Sequence, residues 1–250
     1  TGAVELNTDG LSGNATIKND TALLLAASTV DGTLTATATA GNITQNGALT
    51  IGGAATFITI TDDRSIVLDE NNKFSSHVTM KAGDGTNATF DNITFVDWNA
   101  VNLVSSAPSS NGDLFIDATN DLVVGGDLSI TSVKNNITQG AALTVTGAAT
   151  FITRTHDRSI LLDQNNVFTT TVTMKAGNSG NKRFTGITFK DSDGVRLHSS
   201  AASNGDLFID AINDLVVGGS LSITATTGNI TQTSELAVGT TSTFTTSASN

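Results

Sequence analysis

The nearest approach to catalytic chemistry is the run Asp62-Asp63-Arg64, with Asp69 and Glu70 following. Paired carboxylates roughly 5 to 10 Å apart are the machinery of glycoside hydrolysis: one protonates the leaving oxygen and the other serves as base or nucleophile. The same run returns as His156-Asp157-Arg158, so Asp63 and Arg64 recur while Asp62 does not. A catalytic site should be singular, whereas a structural ion pair repeats with the fold. The Asp-Arg pair is therefore read as an ion pair of the scaffold, and a polysaccharide-acting enzyme stays as the alternative.

Asp191-Ser192-Asp193-Gly194 opens like a calcium loop, but the twelfth position, where a bidentate acid is required, is Ala202. The corresponding residues 94 positions earlier are Asp97-Trp98-Asn99-Ala100. A loosely held calcium ion on Asp side chains and carbonyls stays open; no defined cofactor is expected. His77, His156 and His198 stand opposite Thr171, Asp62 and Val104 in the other copy, which argues against a shared metal. Trp98, the only Trp, faces Ser192 in the other copy and reads as a loop anchor before it reads as a sugar-stacking platform. No residue is assigned as catalytic, cofactor-binding or metal-ligating.

The Asn-x-Thr triplets at Asn14, Asn19, Asn42, Asn87, Asn92, Asn136 and Asn229 match a glycosylation acceptor formally but read as corners and strand starts. Asn71-Asn72 and Asn165-Asn166 occupy equivalent corners, where their amides can cap turns. Thr33, Thr35, Thr37 and Thr39 alternate, as do Thr169, Thr171 and Thr173, suggesting a Thr-rich face. An ice-ordering plane would need Thr in register on every rung, and the intervening runs carry Asp, Ser and Lys.

These residues are positioned by a repeat. Asn42-Ile43-Thr44-Gln45 returns at Asn136 and at Asn229, with periods of 94 and 93, and residues 111–126 match residues 204–219 at 15 of 16 positions. Every Phe has a place in this register, and Met80 pairs with Met174. Each long unit divides again at Ile43, Ile66, Ile93 and Leu114, with spacings of 23, 27 and 21. Within a sub-repeat, runs such as Asp113-Leu114-Phe115-Ile116-Asp117, Asp121-Leu122-Val123-Val124 and Asp127-Leu128-Ser129-Ile130 alternate with period two between Asn, Asp and Gly corners.

The spacing predicts an all-β, right-handed parallel β-helix of about ten rungs, 20–27 residues and three short strands each. The hand rests on base rate. A propeller, with four strands per blade of about 40 to 45 residues, is the weaker alternative. The chain divides into a partial repeat (1–41), two four-rung units (42–135 and 136–228) and the start of a third (229–250). Phe115 is expected in the core.

Composition narrows the function. The chain has 250 residues, 14% of them charged, no Cys and a net charge of −11, a field that repels phosphate backbones and anionic lipid, so nucleic acid is not an expected partner. The longest apolar run, around Leu23–Ala27, is far short of the roughly 20 residues a membrane helix needs, so direct membrane insertion is not expected. The residues from Thr1 to Glu5 hold no basic or apolar signal region, so any export signal is expected outside this chain.

The phrase from Gly41-Asn42-Ile43-Thr44-Gln45 to Gly53-Ala54-Ala55-Thr56-Phe57, and its partner from Gly219 to Gln232, resemble the repeat regions of filamentous haemagglutinin-like bacterial exoproteins. The resemblance implies a stalk of a large exported adhesin at the bacterial cell surface, extending that protein and contributing to adhesion. It carries over no ligand site. Expected partners are neighbouring repeats of the parent protein, surface glycans or a host or partner cell surface, and, through open strand edges, further copies stacked head to tail.

Overall fold

In a computed structural model, residues 2–10, 12–83, 88–106, 108–118, 122–177, 182–211 and 215–247 are described; Thr1, Asn87 and Asp121 lie outside them. Among the described residues every regular element is a β-strand, and no helix is long and apolar enough to cross a membrane. The pairings are parallel throughout, the geometry of a β-helix. The chain forms two compact units, Thr1–Gly126 and Asp127–Asn250.

In the first unit, one face stacks Ala15–Asn19, Leu34–Ala38, Ala55–Thr59, Val78–Ala82, Asp113–Asp117 and Val101–Val104, in that order. A second stacks Leu23–Leu25, Ile43–Gln45, Arg64–Phe74 and Phe90–Asp97. A third pairs Ser28–Val30 with Leu49–Ile51, which pairs in turn with the end of Arg64–Phe74. That long strand serves two faces by bending at Asp69–Asn72.

In-register stacking places like side chains over like. One inward column runs Leu34, Ala55, Val78, Leu114, and its neighbour runs Ala36, Phe57, Met80, Ile116, all essentially without exposure. Phe57, Phe74 and Phe95 form a chain of rings, edge-on at 6.1 Å and then stacked at 5.6 Å. The second unit repeats these columns as Leu128, Ala149, Val172, Leu207 and Ile130, Phe151, Met174, Ile209, with rings Phe151, Phe168 and Phe189 at 6.1 and 5.5 Å.

The register differs from the sub-repeat spacing in one place. Leu114 pairs with Val78 on one side and Leu103 on the other, so it does not stack on Ile93 and the interval of 21 is not one turn. Strand Asp113–Asp117 inserts between Val78–Ala82 and the earlier strand Val101–Val104: the chain steps forward and then back. The second unit does the same, Asp206–Asp210 lying between Val172–Ala176 and Val195–Leu197. Parallel neighbours usually need a crossover of a dozen or more residues, commonly helical; here Val104 and Asp113, and likewise Leu197 and Asp206, are only nine positions apart in sequence.

Phe115 is not in the core. Alternation turns Leu114 and Ile116 inward and leaves Phe115, like Phe208, half-buried on the outer surface. Phe244 is 45% exposed, although its counterparts Phe57 and Phe151 are fully buried, because it lies on the outermost strand of its unit.

Among the buried polar side chains, a corner network recurs in both units. Asn72 is fully buried; its amide bonds both ends of the Gln45 side chain at 2.9 Å and its oxygen accepts the Leu49 N–H at 2.8 Å. Asn166 repeats this with Gln139 and Leu143. Asp97 and Asp191 pair in register with these asparagines. The corner amides thus cap turns as the sequence suggests, from inside.

Candidate functional site

The step-back connection of the second unit builds the most distinctive polar constellation. Asp206, whose side chain has no exposure, accepts the Ala202 and Ser203 backbone N–H groups at 3.1 and 2.7 Å through one oxygen. Its other oxygen accepts Arg196 Nε at 2.5 Å. Burial alone would raise the Asp206 carboxyl, but the Arg196 bond and the two backbone donors outweigh it and hold the group below its ordinary value. The carboxylate therefore fixes the loop and aims the guanidinium.

Arg196 opens into a shallow groove of about 500 Å³ lined by Gly194, Val195, Ser203, Asn204, Gly205, Asn229 and Thr231. In the first unit Asp113 caps Ser109 and Ser110 in the same way, at 3.2 and 3.0 Å, and its second oxygen takes the Asn102 amide at 2.9 Å. The loop framework repeats while the arginine does not. Arg196 and Asp206 are not among the sequence candidates; the available signal is the cationic difference of Asn102 against Arg196, one of several differences between residues 97–113 and 191–206.

The sequence candidates do not converge. Asp63 and Asp157 are corner residues with positive φ, 53° and 56°, whose N–H groups bond the Thr89 and Arg183 carbonyls, each just before a strand. Asp63 accepts the Thr89 hydroxyl, and no ion pair between Asp63 and Arg64 is found among the described residues, so the expected pair is replaced by a corner hydrogen bond. Asp69 and Glu70 lie exposed on the outside of the bend. Asp191 turns inward and accepts the Phe168 and Ser192 N–H groups, while Asp193 is exposed, so the two carboxylates of the calcium-like run diverge.

Among the described residues no group of three or more His, Cys, Asp or Glu side chains could hold a metal. His77 adjoins Ser76, His156 pairs with Asp157 at 2.8 Å, and His198 accepts the Ser200 N–H at 3.0 Å. Trp98 is half-buried with Lys73 Nζ 5.1 Å from its ring centroid. Asn14, Asn42 and Asn136 accept backbone N–H groups from the next turn, at Thr33, Ser65 and Ser159, which makes them corner residues.

The threonines are better aligned than their sequence spacing implies. Thr16, Thr35, Thr56 and Thr79 stack in register on four successive strands. The next outward column on these strands runs Lys18, Thr37, Ile58, Lys81, so they do not carry a second column of Thr.

No curated protein and no solved structure was found to match the chain. A family model matches at residues 12–81, 91–175 and 200–250. Those stretches take in both step-back strands, Asp113–Asp117 and Asp206–Asp210, and the Arg196 loop in part. With the match spanning well over half of its length, the chain belongs to the family described as repeats of unknown function (DUF5649).

Proposed function

We propose that the chain is a structural segment of a large exported bacterial cell-surface protein, extending it from the cell and contributing to adhesion. One observation carries this reading: the same interior is built twice, column for column, while several outward residues differ between copies. Leu34, Phe57, Met80 and Asn72 have fully or almost fully buried equivalents in Leu128, Phe151, Met174 and Asn166. On the surface, Lys73 and Trp98 are replaced by Val167 and Ser192, and Asn102 by Arg196. A fold kept inside and varied at some places outside suits a spacer that presents surface. The likeness of the Asn-Ile-Thr-Gln phrases to haemagglutinin-like exoproteins points the same way, as does an acidic, Cys-free composition.

The partners proposed are neighbouring repeats and surface glycans. This chain has no native cysteine, and the test compares the substituted parent protein with the unsubstituted one. Val167, 37% exposed, is changed to Cys in the parent protein, and intact source cells are treated with a membrane-impermeant maleimide. Labelling of intact cells is expected; labelling only after lysis would sink the surface assignment.

A further inference from the structure

The groove around Arg196 has a feature that the repeat does not require. Asp113 holds its own loop with Asn102 as partner, so a neutral amide is enough for the framework. In the second unit an arginine takes that place, with 38% of its side chain exposed. A guanidinium has five N–H donors. The Arg196 Nε–H goes to Asp206, and its remaining donors have no partner among the described residues.

We propose that this groove binds a carboxylated saccharide, with Arg196 taking the sugar carboxylate through two parallel N–H···O bonds. The guanidinium fork matches a planar carboxylate. Its orientation is set in advance by a buried aspartate that is itself tied to two backbone N–H groups, so little freedom is lost on binding. Around it Ser203, Asn204, Asn229 and Thr231 offer hydroxyl and amide groups for sugar hydroxyls. No lining residue is aromatic, so stacking on a neutral sugar face is not available and charge must supply the affinity.

The charge distribution favours the same unit. Residues 1–126 carry 14 acidic and 4 basic side chains, whereas residues 127–250 carry 9 and 8. An anion is repelled far less by the second unit than by the first. Asp193, next in sequence to Gly194, is exposed and weakens the attraction, but it does not line the groove. The site stands on its own geometry, apart from whether the segment extends a surface protein.

The full chain is titrated calorimetrically with trigalacturonate and with 3′-sialyllactose, each beside its methyl ester, and with an acidic hexapeptide. Binding of at least one of the two acidic sugars is expected, weakened about tenfold or more by esterification and by Arg196→Asn, which installs the first unit's residue and leaves Asp206 a partner. The thermal midpoint of Arg196→Asn is expected to stay near that of the parent chain, separating lost binding from lost folding. Failure of both sugars to bind at millimolar concentration, equal binding of the esters, or unchanged binding by Arg196→Asn would overturn the proposal. A hexapeptide bound as tightly as the sugars would overturn the saccharide assignment.

Discussion

Asp97 and Asp191 are carboxylates held away from water: burial raises both to about 6, against the backbone N–H groups that accompany them. A folded-state value above the ordinary 3.8 means that folding favours the protonated form. The resulting cost is absent below about pH 4 and fully present above about pH 6, up to roughly 3 kcal/mol for each group. Urea midpoints are therefore expected to rise as the pH falls from 7 to 5, and Asp97→Asn should flatten that rise; a midpoint independent of pH would show that these carboxylates are solvated. At Asn72, substitution by Ala strands the Gln45 side chain and the Leu49 N–H in the interior, at a cost of about 3 kcal/mol or more. Urea unfolding of Asn72→Ala reads that cost directly. The corner role of Asn72 and Asn166 was legible in the sequence because two asparagines recur at one repeat position. That the second of each pair points inward was not, since the bend at Asp69–Asn72 decides the parity. The inward turn of Asp97 and Asp191 was not legible either: Asp191 opens a run that resembles a calcium loop but lacks the acid at its twelfth position.

Strands impose their own parity, and Phe57 and Phe115 show what it decides. Phe57 is fully buried with its ring edge-on to Phe74, so Phe57→Ala should cost about 3 to 5 kcal/mol. Phe115 lies half-buried on the outside of its strand, where the same truncation should cost about 1 kcal/mol. Comparable losses at the two positions would contradict the alternation. Leu114, Phe115 and Ile116 are all apolar, so composition alone could not say which of them face inward. The step-back was also beyond the sequence: its strands keep the period-two pattern, and nothing in an interval of 21 marks a change of face. Its anchors are Asp113 and Asp206, and the change that bears directly on their carboxylates is the exchange of Asn102 for Arg196. Repetition made the framework visible; the departure from it marks the site.

At the scale of the molecule, the recurring Asn-Ile-Thr-Gln phrases, the paired Phe and Met positions and the absence of helical periodicity lead to a parallel β-helix because stacking in register requires like residues at like places. The same regularity frees the outward residues to vary, and the acidic excess of residues 1–126 over residues 127–250 is one result. The central claim is that each unit is a stack of in-register turns interrupted by one backward step. It makes Thr79 the neighbour of Phe115, and Thr173 the neighbour of Phe208. Strands so paired lie about 4.8 Å apart, within the span of a disulfide. The chain has no native cysteine, so the pairs Thr79→Cys with Phe115→Cys and Thr173→Cys with Phe208→Cys can be oxidised without competition and read by mass. The account predicts ready closure of both, and none for Thr94→Cys with Phe115→Cys, the pair that one turn per sub-repeat would bring together. Closure of the Thr94 pair, with the other two remaining reduced, would contradict it.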